Sequence, residues 1–326
     1  MKTLFGLATL AAFAQAAGVS STVPGVQTPD TRLVPLRDRH VVVEGARRLH
    51  IRCEGIGTLT VVLNAGLGGD ADSWRGVQSR IADFTRVCSW DRPGFGTSDE
   101  SGASQDAEYT TMQLEKLLSA ADVRPPYVVV GHSYGGFEAI LFAHRNKRAT
   151  RALVLLDPTY PHLDQIFLKA APSNGRLYRE YMKRRIEIGR ECLTSVIAYR
   201  AACAVPSVSD PTRRKAFLRS RLSMYESWDL SSKQVAAVKT LGRLPLIVLT
   251  AGKQSAMEGS DLADEAKTTA AWTAMHQRYA KLSSAGSQRI VADAGHMIHE
   301  ERPDLVVATI QEAIAVSTKD KRASRH

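Results

Sequence analysis

Cysteine is scarce in this chain: Cys53, Cys88, Cys192 and Cys203 are the whole set among 326 residues. They form no C-x-x-C, and no His/Cys cluster has zinc-ligand spacing, so no metal site is expected. Phosphate-binding signatures are missing too. No P-loop Gly-Lys-Ser/Thr occurs, and no G-x-G-x-x-G opens a helix. The N-terminal apolar run, Leu4 to Phe13, is too short to cross a bilayer as a helix, so stable membrane insertion is not expected. Internal repeats and low-complexity segments are absent. The net charge is +10, yet no nucleic-acid-binding motif accompanies it, which argues against a nucleic-acid partner.

What is present begins at the N-terminus. Lys2 supplies a positive start, Leu4 to Phe13 is apolar, and Ala14-Gln15-Ala16 has the small-x-small form that signal peptidase accepts. Residues 1–16 therefore read as a signal peptide, and the mature chain as secreted or periplasmic. Residues 17–39, with Pro24, Pro29 and Pro35 and no periodicity, read as a tether. Export would place the even set of cysteines in an oxidising compartment where they can pair. The positive charge is concentrated. Residues 158–244 carry 16 Lys/Arg against 7 Asp/Glu. Two readings stand: a solvated helical surface, or a preference for anionic substrates or surfaces.

Strand and helix patterns alternate along most of the chain. His40 to Val43, Leu49 to Cys53 and Leu59 to Asn64 read as strands, Asp72 to Ile81 as a helix, and Thr85 to Trp90 as a strand. Tyr109 to Ala121 is helical, with Leu114, Leu117 and Leu118 on one face. Tyr127 to Val130, Ala152 to Leu156 and Leu244 to Thr250 are apolar runs suited to strands buried on both faces. Gln288 to Ala292 is a further strand. A last helix starts at Pro303 and turns Val306, Ile310 and Ile314 inward. Such alternation implies an α/β fold with a mostly parallel sheet. Residues 158–244 interrupt it and read as helical, with Tyr178, Met182 and Ile186 on one stripe.

The chemistry lies in short motifs at strand ends. Gly131-His132-Ser133-Tyr134-Gly135-Gly136 joins a buried strand to a helix. A G-x-S-x-G in that setting is a tight turn that strains the serine backbone and exposes its hydroxyl. A serine nucleophile needs an adjacent base, and the base needs a partner to fix its tautomer. His296, in Asp293-Ala294-Gly295-His296-Met297-Ile298-His299, follows the last strand and is the expected base, with His299 as competitor. His132 should point into the strand–helix packing. Asn64-Ala65-Gly66-Leu67-Gly68-Gly69 ends the third strand, and its glycines let the backbone turn N–H groups toward the serine. The amides of Leu67 and Tyr134 are the expected oxyanion hole.

These motifs, with Asp91-Arg92-Pro93-Gly94-Phe95-Gly96-Thr97-Ser98 between them, resemble the α/β-hydrolase superfamily of serine hydrolases with a helical cap. The resemblance covers residues 40–316. It implies an eight-stranded sheet flanked by helices, a core of residues 40–157 and 245–316, a helical cap at 158–244 inserted after the sixth strand, and a tail at 317–326. It also implies carboxylic ester hydrolysis of a small-molecule substrate without a cofactor. The family's acid usually follows the seventh strand, but Ala251-Gly252-Lys253-Gln254-Ser255 offers no carboxylate. Some members carry the acid after the sixth strand, where this chain reads Leu155-Leu156-Asp157-Pro158, so Asp157 is the choice. Asp261 and Asp264, in what reads as a long loop after strand seven, are the alternatives. In this superfamily the second and fourth strands are neighbours, which implies a Cys53–Cys88 disulfide. Cys192 and Cys203 would close a short loop in the cap. The rival activities on this scaffold are an aminopeptidase or amidase and a carbon–carbon-bond hydrolase. A non-catalytic binding protein is a rival of another class.

Overall fold

Apolar runs of five to seven residues become the centre of a sheet because both their faces are covered. In the computed structural model, residues 38–194, 203, 208, 210–254 and 259–323 are described. The segment read as a signal peptide and all of the tether up to residue 37 lie outside them. The strands are β1 (Arg39–Glu44), β2 (Arg47–Glu54), β3 (Thr60–Asn64), β4 (Arg86–Trp90), β5 (Tyr127–His132), β6 (Thr150–Leu156), β7 (Leu246–Ala251) and β8 (Gly286–Val291). The helices are α1 (Arg75–Ala82), α2 (Ala107–Ala120), α3 (Gly135–Arg145), α4 (Leu163–Ala170), α5 (Pro172–Thr194), α6 (Pro211–Glu226), α7 (Trp228–Ala236), α8 (Leu262–Ala280), α9 (Ile298–Glu301) and α10 (Pro303–Ala323).

One eight-stranded sheet has the order β1-β2-β4-β3-β5-β6-β7-β8. The β1–β2 and β2–β4 pairs are antiparallel, and every pair from β4–β3 through β7–β8 is parallel. Alternate residues of β5 feed opposite layers, as the period of a strand requires. Val128 and Val130 pack with Ile81 of α1 and Val306 and Ile310 of α10. Val129 packs with Leu114 and Leu117 of α2 and Phe137 and Ile140 of α3. The parallel order sends the carboxyl ends of β3, β5, β6 and β7 to one edge, where a ligand crevice is expected.

Helices α4 to α7 stand between β6 and β7, in the segment rich in positive charge. α4 and α5 pack on each other and on α8, and α7 packs on α2 and α3. Three expectations are corrected. The stretch after β7 is not one long loop, because α8 fills most of it. Asp261 caps that helix by accepting the Ala263 N–H at 2.8 Å, and Asp264 sits in its first turn. The tail does not begin at residue 317, because α10 continues to Ala323 and Ser317 is buried. The helix read from Asp72 starts instead as a 3-10 turn at Ala71–Trp74, capped by Asp70, and becomes α-helical at Arg75. Among the described residues, no helix is long and apolar enough to cross a membrane.

Both cysteine pairs lie at disulfide distance. Cys53 and Cys88 face each other across β2 and β4 with Cα atoms 4.1 Å apart, and Cys192 and Cys203 have Cα atoms 5.5 Å apart. The first pair closes a loop across 35 positions. Replacing Cys53 and Cys88 together by alanine should lower the unfolding free energy by about 2–4 kcal/mol, read by urea titration. Non-reducing peptide mapping should recover both links, and free thiols would contradict this pairing.

Candidate active site

Ser133 occupies the turn between β5 and α3 with φ of +51°, in the left-handed region that serine seldom adopts. Such a conformation costs about 1–3 kcal/mol and persists because the surroundings over-determine it. The Ser133 N–H bonds the Leu156 carbonyl at 3.1 Å, and its own carbonyl receives Gly136 N–H at 2.9 Å and Thr159 N–H at 3.1 Å. The neighbouring glycines are steric requirements. A Cβ at Gly135 would stand 2.2 Å from the Asn64 carbonyl oxygen, and one at Gly131 would stand 2.4 Å from that of Gly135. The start of α3 therefore lies directly on the end of β3, which brings the Gly66–Leu67 turn beside the serine.

Asp157 continues β6 by donating its N–H to the Leu249 carbonyl at 2.8 Å, and it too is left-handed, at φ +39°. Its carboxylate is 1% exposed. Oδ1 accepts the Ala251 N–H at 2.9 Å and the Trp272 indole N–H at 2.8 Å, while Oδ2 lies 2.7 Å from His296 Nδ1. A buried carboxylate is stabilised by such donors and fixes the proton of the facing imidazole on Nδ1. That leaves His296 Nε2 as the acceptor. Asp261 and Asp264 are engaged elsewhere: Asp264 accepts the Ser173 N–H at 3.0 Å and Lys267 Nζ at 2.9 Å.

Ser133 and His296 line one cavity of about 570 Å³, together with Leu67 and Tyr134, whose amides are the expected oxyanion donors. His132 departs from expectation. It does not turn into the strand–helix packing. Its Nε2 bonds the His296 carbonyl at 2.9 Å, and its ring lies against those of His296 and His299, with centroids 4.7 and 4.5 Å away. A carbonyl only accepts, so Nε2 carries the proton and Nδ1 is bare. Burial pushes the His132 pKa well down, and the proximity of His299 and His296, which would repel a second imidazolium, lowers it further. Burial likewise lowers His299 to about 4. His299, the competing base, packs against Trp74, with centroids 4.8 Å apart, and against His132.

Several residues of the site were not singled out from the sequence. Trp272 and His276 lie one turn apart on α8. His276 is fully buried and donates from Nε2 to the Pro158 carbonyl at 2.8 Å, so its bare Nδ1 takes the Thr250 hydroxyl at 3.0 Å. Burial lowers its pKa and keeps it neutral, so the 3.8 Å to Asp157 is not an ion pair. The spacing Trp272, Met275, His276, Tyr279 is a helix face and was the available signal. Arg92, inside a motif that was recognised, is 2% exposed and bonds Glu138 of α3 through two 2.6 Å contacts. The same guanidinium donates to the carbonyls of Gly66, at 3.1 Å, and of Ala65.

The sequence profile of the alpha/beta hydrolase family matches residues 61–309. The chain belongs to that family. An uncharacterized Bacillus subtilis protein, YqjL, is 27% identical over 254 residues, covering 78% of this chain and 82% of that one. A 2-hydroxy-6-oxononadienedioate/2-hydroxy-6-oxononatrienedioate hydrolase from Cupriavidus pinatubonensis is 33% identical over 114 residues, 33% of this chain and 39% of that one. Among solved structures, a thermophilic esterase from Thermogutta terrifontis superposes with a TM-score of 0.59 at 19% identity, covering 86% of this chain and 99% of that one. At that identity the likeness shows the fold.

The depressed histidines make an acid-lability prediction. The unfolded chain takes up protons below about pH 6.5, whereas folded His299 does so only near 4, so stability is full above 6.5 and is lost as pH falls toward 4. His299 adds a slope of up to about 1.4 kcal/mol per pH unit in that window. His299→Gln should flatten the pH dependence of urea stability between 6.5 and 4. An unchanged slope would show that His299 is not held neutral.

Proposed function

We propose that the protein is an exported serine hydrolase that cleaves carboxylic esters through Ser133, His296 and Asp157. One observation carries the reading: the Asp157 carboxylate bonds His296 at 2.7 Å, and His296 opens onto the same cavity as the left-handed Ser133. Ser133 Oγ attacks the ester carbonyl carbon while its proton passes to His296 Nε2. The tetrahedral oxyanion is held by the amides of Leu67 and Tyr134. Collapse expels the alcohol, protonated by His296, and leaves an acyl group on Ser133. Water, deprotonated by His296, then attacks the acyl carbon, and the acid departs as the serine proton returns. Asp157 stays ionised throughout and stabilises the imidazolium. Helices α4 to α7 act as the cap that encloses the substrate.

Export rests on the signal-like residues 1–16 and on the paired cysteines. N-terminal sequencing of the secreted chain should begin after Ala16. A second reading is carbon–carbon-bond hydrolysis by the same residues; the relative named as a 2-hydroxy-6-oxononadienedioate/2-hydroxy-6-oxononatrienedioate hydrolase, alike over a third of this chain, is the reason to keep it.

Ser133→Ala should abolish ester hydrolysis and fluorophosphonate labelling while leaving the melting temperature near that of the parent. Asp157→Asn should lower kcat by about 10⁴-fold, since the base loses its tautomer. Asp261→Asn and Asp264→Asn should stay within about tenfold. Labelling that survives in Ser133→Ala, or a larger loss from Asp261 or Asp264, would sink the assignment.

A further inference from the structure

The excess positive charge of residues 158–244 is not spread evenly in function. Several of these cations face solvent and are matched by acids. Arg179 pairs with Asp164, Lys183 with Glu180, Arg190 with Glu226 and Arg219 with Glu100. Exposed pairs of this kind contribute little. Arg213 is spent on the carbonyls of Gly96 and Thr97.

Arg185 is different. Among the described residues it is the one Lys or Arg side chain that lines the cavity of Ser133 and His296. It stands on α5, half-buried, with its guanidinium 5.7 Å from the Tyr181 ring centroid and 5.5 Å from that of Tyr225. Its Nε donates to the Tyr225 hydroxyl at 3.1 Å. Among the described residues, its neighbours in charge are those tyrosines and another half-buried arginine, Arg221, rather than a carboxylate. Arg221 in turn rests over the Phe217 ring at 5.1 Å. Two guanidiniums sharing aromatic neighbours, with no acid between them among the described residues, repel each other, and an anion would relieve that repulsion. The hydroxyls of Tyr178 and Tyr181, both in the lining, are protonated at neutral pH, as phenols ordinarily are, and burial raises the Tyr178 pKa further, so they remain donors. Tyr181 is 47% exposed, so this part of the cavity is not sealed from water and tolerates a charged group.

We infer that Arg185, flanked by Tyr181 and Tyr225, binds a carboxylate that the substrate carries at a distance from the scissile carbonyl. The substrate class is then an ester with one remote anionic group, such as a monoester of a dicarboxylic acid. The planar guanidinium suits a carboxylate because its remaining N–H groups form a fork, which a lysine cannot reproduce. The apolar lining between the chemistries, including Leu163, Phe167 and Trp272, suits a methylene spacer. The other charge in the lining, Glu265 of α8, is bonded by the Ser260 hydroxyl at 2.6 Å and disfavours an anion at its own side. This inference rests on the ester-hydrolase reading for its reaction but not for its binding site.

The test pairs p-nitrophenyl hemiesters of dicarboxylic acids, from succinate to sebacate, with their neutral ω-methyl-ester counterparts. A second arm places the carboxylate on the phenol, which separates recognition on the acyl side from recognition on the leaving-group side. The parent enzyme should prefer at least one anionic ester over its neutral match. Arg185→Gln should cut kcat/KM for that ester by about 10- to 100-fold, the loss of a hydrogen bond to a charged group. The neutral ester should change by less than about threefold, which also reports an intact fold. Arg185→Lys should restore only part of the preference, and Glu265→Gln should not reduce it. Separately, calorimetric titration of Ser133→Ala with the free dicarboxylates should show binding that Arg185→Gln removes. No anionic preference in either arm, or equal losses on both esters, would overturn the inference while leaving the ester reading intact. Failure to hydrolyse any ester, with dicarboxylate binding that still depends on Arg185, would instead overturn the reaction and keep the anion site.

Discussion

Arg92 and Glu138 meet in the interior through two hydrogen bonds of 2.6 Å, and the same guanidinium reaches back to the carbonyls of Ala65 and Gly66. That one pair ties three pieces together: the loop after β3, the segment after β4 and the helix that follows Ser133. Breaking a buried ion pair from one side leaves a charge unpaired and costs about 3–5 kcal/mol. The contact is possible because Gly131 and Gly135 have no Cβ, which lets α3 lie on the end of β3. The strain at Ser133 is held by this clamp, and the loop that the clamp fixes carries Leu67, whose amide the proposed mechanism uses as an oxyanion donor. Preorganised donors of that kind need no reorganisation when charge develops on a substrate oxygen.

A second constraint is electrical. The site gathers four histidines, and three of them, His132, His276 and His299, are kept neutral by burial. The Asp157 carboxylate takes its third hydrogen bond from His296, the others coming from the Ala251 amide and Trp272. One imidazole is thus left both partnered by an anion and open to the cavity. The neutral histidines act as rigid polar packing: His132 holds the His296 backbone, and His299 packs against both His132 and Trp74.

Much of this was legible in the sequence because the geometry demands rare residues. A left-handed serine between glycines, and a histidine after the last strand, leave marks that periodicity does not blur. The buried strands were legible as apolar runs, and their boundaries moved by only a residue or two. Asp157 was reachable because the turn after β7 lacks a carboxylate. Helix α8 was missed because its sequence is rich in Ala and Thr, and its inward face is built from Trp272, Met275, His276 and Tyr279 rather than from leucines. Missing that helix made Asp261 and Asp264 look like loop residues instead of a cap and a first turn. The partnership of Arg92 with Glu138 joins positions 46 apart, which no local pattern reports. The charge of residues 158–244 was visible as a block. Which of its 16 cations faces the cavity depends on how α5 is rotated against α6, and that is a tertiary fact.

Covalent catalysis at Ser133 is tested most directly by trapping the acyl-enzyme. The protein would be acid-quenched during turnover of an activated ester and digested, and its peptides weighed. An acyl mass on the peptide that contains Ser133, absent from His296→Ala quenched at the same time, is the expected result. Steady-state hydrolysis with no acylated peptide, or an acyl group on any other residue, would contradict it.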